Sequence, residues 1–487
     1  MMRSHLLLLP VAAAALYTIA CTAAFGPGYS IEKQEMQVQF VGGPPPAIHI
    51  DAVYHLRNDG NQPLTSLELR LPGRRRFHFI DPLAEWDGHS IPFGTSPDNP
   101  RNALLTLPEV WTVSSNRTLH LSVEYQPAPP RENTFSFAPD AFFLPADGWS
   151  PQLLPARGAF ATGGVPPPTW LLTLKVPEGF LVHASGRKPK VSRSHGEQTL
   201  RITQQAKDGY PFVIAGRYAA SQFAAAPETI TAWSRASQNG NALRQPAGEL
   251  VAAIHAYNSM FGPRSRESNQ LWLVECPVVE GCFSGTASNY AELLSEPGTK
   301  PSAELASLDT VMVDLSSSAP EVLTAAGPSL ASSWLGYGQN PGFFEQDPPL
   351  SALPAYAAFT GREAIQGPRV RTDTIRHALT RVPSQATPGK PEDANVVRAK
   401  SLLFFFALQD RYGQDVFSKA LSHMLYARRG GGFDLDDLIA AFEQETHQNV
   451  AEFVRHWMKR PGVPEEFRAR YEGTSGALAA NPKEATP

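Results

Sequence analysis

The chain lacks most of what would mark a metal site, a covalent catalyst or a membrane span. Cysteine is nearly absent: among 487 residues only Cys21, Cys276 and Cys282 occur, which leaves room for one disulfide at most. Thirteen histidines are scattered with no pair at i, i+4 spacing, the spacing that sets two imidazoles on one helix face to grip zinc. No G-x-S-x-G elbow exposes a nucleophilic serine. A net charge of −4 provides no field that would recruit nucleic acid. Leu402 to Leu408 is strongly apolar but far too short to cross a bilayer, so it reads as core. There are no internal repeats. Turn-formers, by contrast, are plentiful: 45 prolines and 37 glycines argue against an all-helical chain.

The first residues read as an export signal over 1–24. Arg3 and the free amine form the positive end, and Leu6 to Ala20, interrupted by Pro10, suits a signal's apolar core. The run closes on Thr18-Ile19-Ala20-Cys21, which resembles a bacterial lipobox with Thr18 in place of the usual leucine. Lipidation of Cys21 would tether the protein to a membrane; ordinary cleavage after Ala23 or Ala24 is the alternative. In an oxidising compartment, the short turn-rich loop from Cys276 to Cys282 predicts a local disulfide, with two buried thiols as the other reading.

From about Ile31 to Tyr218 apolar residues recur at every second position. Ile48, Ile50, Ala52, Tyr54 and Leu56 do so, then Leu67, Leu69 and Leu71, then Leu119, Leu121, Val123 and Tyr125, then Leu172, Leu174 and Val176. Period two with one apolar face predicts antiparallel sheets on a core, here a β-sandwich domain over 28–222. After about Ala226 the period changes. Leu250, Ile254, Tyr257 and Phe261 predict a helix ended by Gly262-Pro263. Leu271 to Val274 and Thr310 to Leu315 read as strands, and helices are expected near Arg398–Tyr412, Asp415–Tyr426 and from Asp434, with Asp437 completing a capping box. Thr380 to Asn395 reads as an exposed loop, and 471–487 as a disordered tail.

The stretch Ala325 to Tyr356 carries the functional argument. Zinc peptidases of one large class carry H-E-x-x-H on a helix, then eighteen residues, then a glutamate. The Leu-Ala and Trp-x-Gly of a sequence such as HELAHQWFG stand here as Leu330, Ala331, Trp334 and Gly336. In that register Pro328 and Ser332 occupy the histidine positions and Ser329 the position of the base, while Ser351 falls at the third ligand. A second register, through Pro354-Ala355-Tyr356-Ala357, puts Pro354 there instead. The chain is thus similar to the alanyl aminopeptidase and leukotriene-hydrolase type of gluzincin. The order of its parts agrees, and Trp457-Met-Lys-Arg-Pro-Gly-Val-Pro464 matches that family's W-x-x-R-P-G-x-P ending. The resemblance implies a saddle-shaped amino-terminal β domain followed by a thermolysin-like, mostly helical α+β domain over 223–470.

It also implies which positions to inspect. The family's amine-binding glutamate aligns with Ser288, within Gly285-Thr286-Ala287-Ser288-Asn289, and its oxyanion-stabilising tyrosine with Arg398. Proline cannot ligate zinc, serine is a poor neutral ligand, and a serine hydroxyl is no base near neutral pH. These substitutions predict a pseudoenzyme of the bacterial envelope or periplasm, without cofactor or nucleic-acid partner, binding a peptide or envelope protein or serving as a scaffold. A zinc aminopeptidase whose ligands lie elsewhere is the competing expectation.

Overall fold

The computed structural model describes residues 28–43, 46–71, 77–99, 102–127, 136–146, 149–156, 165–205, 211–235, 242–264, 269–278, 303–307, 309–315, 322–335, 348–383, 393–428 and 433–472. They fall into two compact units that divide between Arg217 and Tyr218, with Pro277 and Val278 grouped with the first.

The first unit is built of strands. Its largest sheet has eight, in the order β14(Lys190–Ser194), β15(Glu197–Gln205), β12(Thr169–Pro177), β1(Ser30–Val41), β2(Ala47–Arg57), β8(Asn116–Pro127), β4(Phe77–Trp86), β5(His89–Ile91). Two four-stranded sheets join it. One runs β13(Leu181–Ala184), β16(Val213–Gly216), β10(Ala141–Leu144), β9(Ser136–Ala138). The other runs β11(Gln152–Leu153), β3(Leu64–Arg70), β7(Asn102–Trp111), β6(Phe93–Thr95). The alternation read from the sequence is the reason. On β2 each of Ile48, Ile50, Ala52, Tyr54 and Leu56 is buried, while His49, Asp51, Val53 and His55 between them are partly open. These residues form one apolar cluster with Leu67 and Leu69 of β3, Leu105 and Trp111 of β7, Phe142 of β10 and Ala215 of β16.

One pair departs from the antiparallel expectation. β1 runs parallel to β12, Val38 facing Leu174; ten strands intervene along the chain, so no hairpin dictates direction. A second difference lies at the boundary. Tyr218, where the every-second-position pattern was expected to end, opens β17(Tyr218–Ala225), which pairs with β18(Glu228–Arg235) in the second unit.

The second unit has a five-stranded mixed sheet in the order β17, β18, β19(Gln270–Glu275), β21(Thr310–Val313), β20(Ala303–Ser307). Its described helices are α1(Arg244–Phe261), α2(Val322–Ala325), α3(Gly327–Ala331), α4(Pro348–Ser351), α5(Leu353–Gln366), α6(Arg369–Arg381), α7(Ala394–Tyr412), α8(Gln414–Ala427), α9(Leu435–Thr446), α10(Val450–Lys459) and α11(Glu465–Glu472). The run Leu402–Leu408 lies wholly buried in α7. A helix apolar on every side must be enclosed, and α7 is flanked by α4, α5, α6 and α8. Among the described residues no helix is long and apolar enough to span a membrane.

The expected loop from Thr380 to Asn395 is shorter than its composition suggested: α6 runs to Arg381 and α7 opens at Ala394, capped by Asp393. At the far end, α11 extends through Tyr471 and Glu472, into the segment read as tail, because Tyr471 is anchored to α7.

Candidate functional site

The stretch expected to carry the chemistry is split between α3, α4 and α5. Proline cannot sit inside a helix without losing a donor and clashing with the preceding turn. The chain resolves this by breaking at Ala326, so that Gly327-Pro328 starts α3 afresh in its first turn, where no donor is missed. Pro328 is buried. Ser332 caps the end of α3 one turn later, in helical conformation, and its hydroxyl donates to the carbonyl oxygen of Pro328 at 3.1 Å. The two positions aligned with histidines therefore do stack on one face, but the hydroxyl is turned back on the backbone. Ser329 lies between them on α3.

Ser351 ends the separate helix α4, which packs on α7. Pro354 is the second residue of α5 and is buried. It lies one turn before Ala358, on the same face. Ala358 is the residue that meets α3: a Cβ placed on Gly327 would stand 2.9 Å from the Ala358 Cβ. The packing thus sets Pro354, rather than Ser351, on the α5 face directed at α3.

Around this contact the surroundings are apolar. Leu330 and Ala331 on α3, and Leu353 through Phe359 on α5, are all buried. The Tyr257 hydroxyl on α1 donates to the Gly327 carbonyl oxygen at 3.1 Å, and its ring meets Trp334 edge-on at 5.2 Å. Burial raises the Tyr257 phenol well above its ordinary range, so it stays a neutral donor. Trp334 Nε1 in turn donates to Asn258 Oδ1 at 2.8 Å, and Asn258 donates to buried Glu228 at 3.0 Å. Ser333 is buried with its hydroxyl unpartnered among the described residues. Arg398 lies in the second turn of α7, its guanidinium donating to Asn395 Oδ1 at 2.5 Å. Ser288, Gly336, Cys21 and Cys282 lie outside the described residues. Cys276, buried just after β19, is disulfide-bonded.

No family model matches the sequence and no curated protein is similar to it. Solved structures are. A variant of the M1 zinc metallopeptidase from Deinococcus radiodurans superposes with a TM-score of 0.54 at 16% identity, covering 90% of this chain and 96% of that one. This is the fold of the M1 zinc metallopeptidases. The unsubstituted Deinococcus enzyme gives a TM-score of 0.52, also at 16% identity, over 89% of this chain and 95% of that one. Legionella pneumophila aminopeptidase A, in complex with aspartic acid, gives 0.51 at 11% identity over 89% of this chain and 50% of that one.

Zinc, named in the Deinococcus structures, can be tested against the side chains present. Pro328 and Pro354 offer no lone pair, and the Ser332 hydroxyl is neutral and engaged with the backbone. Among the described residues no three His, Cys, Asp or Glu side chains are grouped to hold an ion. The described residues at these positions do not fit the metal. Sequence reasoning carried no signal for the close approach of Gly327 to Ala358, and it missed α6 entirely.

Proposed function

We propose that this chain is a non-catalytic, aminopeptidase-like protein of the bacterial envelope that works through a peptide or protein partner or as a scaffold. The observation that carries the reading is the close approach of α3 to α5 at Gly327 and Ala358, with a proline at the aligned ligand position on each helix. A hydrolytic zinc site needs three donors and an open coordination position for water. Apolar side chains packed together supply neither. That same filling favours a role for the outer surface over a role for the former metal pocket, and so favours a protein partner or scaffold.

The export signal and a Cys21 tether complete the proposal. Lipidation would hold the protein at a membrane, where a scaffold or assembly partner acts. A Cys21→Ser variant should lose incorporation of a labelled lipid precursor and become soluble; unchanged labelling would remove the tether.

The decisive experiment is metal analysis of the purified full chain beside an aminopeptidase assay. The reading expects substoichiometric zinc and no trimming of amino acids from peptides. Stoichiometric zinc, with cleavage that stops on adding a chelator, would overturn it.

A further inference from the structure

Glu363, Arg371, Gln409, Asp410 and Tyr471 form a polar group inside the second unit that the reading above does not use. It joins the last described helix to the helix that carries Pro354. The side-chain carbonyl of Gln409, on α7, accepts from the Tyr356 hydroxyl of α5 and from the Arg371 guanidinium of α6. Arg371 lies 3.8 Å from Asp410 and 3.9 Å from Glu363, and stands over the Phe406 ring at 5.3 Å. On its other side Asp410 accepts from the Tyr471 hydroxyl of α11 at 2.5 Å and pairs with Arg470 at 3.4 Å.

Further bonds seat α11. Arg376 of α6 donates to the Tyr471 carbonyl oxygen at 3.1 Å, and Arg468 donates to the Val382 carbonyl oxygen at 2.8 Å. Phe467 is the one buried residue of this eight-residue helix, edge-on to Trp457 at 5.2 Å. A helix this short is not stable alone, so its order depends on these anchors. Two acids and one arginine, partly withdrawn from water, make each bond depend on the others being made. Losing the Tyr471 end leaves Asp410 to Arg371 and Arg470, and Arg371 is the group that shares Gln409 with Tyr356. Tyr356 is two residues from Pro354.

We propose that α11 is a strap whose seating, passed through Asp410, Arg371 and Gln409, sets the order of the start of α5. The terminal helix and the former metal region then respond as one element. An event that lifts α11, such as a partner competing for its anchors, loosens α5 in the same step. The inference does not rest on the absence of catalysis.

The test is amide hydrogen exchange on the full-length chain, comparing Tyr471→Phe, Tyr356→Phe and the double variant. Phenylalanine keeps the rings and removes only the hydroxyls, so folding should survive; Asp410→Asn provides a second break that keeps the shape. The strap expects exchange at residues 355–360 of α5 to rise about tenfold in Tyr471→Phe and in Asp410→Asn, with the amides of α1 unchanged. It also expects the double variant to exchange no faster at α5 than the faster single one, since both cut one path. Faster exchange confined to α11 would overturn the proposal. So would an equal rise in α1 and α5, or a double variant whose effect is the product of the two singles.

Discussion

Gly327 is where single-residue geometry speaks most plainly. Glycine in a helix is ordinarily worse than alanine by about 0.5–1 kcal/mol, so Gly327→Ala should stabilise if the site were roomy. It is not: the added methyl would stand 2.9 Å from the Ala358 Cβ and 3.4 Å from the Tyr257 hydroxyl. The Ala358 Cβ belongs to a buried helix and cannot swing aside. Overpacking of this kind costs about 1–3 kcal/mol. Gly327→Ala is therefore expected to lower the melting temperature, by roughly 2–4 °C per kcal/mol in a domain of this size. A melting temperature equal to or above that of the parent would mean that α3 and α5 have space between them. Glu363 makes a second case. Burial raises its carboxyl above the ordinary range, against the opposing pull of Arg371. A carboxyl whose folded value is raised binds its proton more readily folded than unfolded, so the protein gains stability as pH falls through that range. Glu363→Gln removes the ionised form. Its melting temperature relative to the parent should be highest at neutral pH and should decline as pH falls toward the ordinary carboxylate range. A difference independent of pH would show that Arg371 fully offsets the burial.

At the scale of an element, α9 shows how much a local signal can fix. Asp434 caps it with Asp437 as the reciprocal partner, as their spacing predicts, and both hydrogen bonds form, at 2.9 and 3.1 Å. The box satisfies two end groups of a helix whose Leu438 and Phe442 are buried, so its loss is felt by the core. Asp434→Ala should cost about 1 kcal/mol, read as a lower denaturant midpoint with unchanged slope. Asp434→Asn should recover most of that, because an amide oxygen still accepts. α6 behaved differently. Its sequence carries four arginines and few apolar residues, and only Thr374, Ile375, Ala378 and Leu379 are buried. So sparse an apolar stripe gave no clear period, and the helix stands because α5, α7 and α11 pack against it.

For the whole molecule, the poor fit of the described residues to zinc has a thermodynamic consequence. A protein that binds an ion only when folded gains stability as the logarithm of ion concentration over Kd, about 2.7 kcal/mol at a hundredfold excess. A zinc enzyme therefore melts lower in chelator and higher in added zinc. This chain is expected to melt at one temperature in both, by differential scanning fluorimetry at fixed protein concentration. A shift upward with zinc that chelator reverses would point to ligands beyond the described residues. The fold itself is independent of that result. The M1-like superposition at 16% identity rests on alternating strands and enclosed helices, which many sequences can supply.

The amino-acid sequence by itself determined the elements whose periods are strong. β2, β8 and β12, the helix ended by Gly262, the buried run of α7 and the capped α9 were all legible, because each is set by neighbours within a few residues. In the register that the resemblance implies, it also gives prolines and serines at the positions aligned with ligands. Only the tertiary structure decided that β1 lies parallel to β12, that Tyr218 belongs to the second unit's sheet, and that Pro354 rather than Ser351 shares the α5 face that meets α3. It alone decided that Tyr471 is held by Asp410 and not loose. Most of these depend on residues brought together from dozens of positions apart or more, and no local period records where a chain returns.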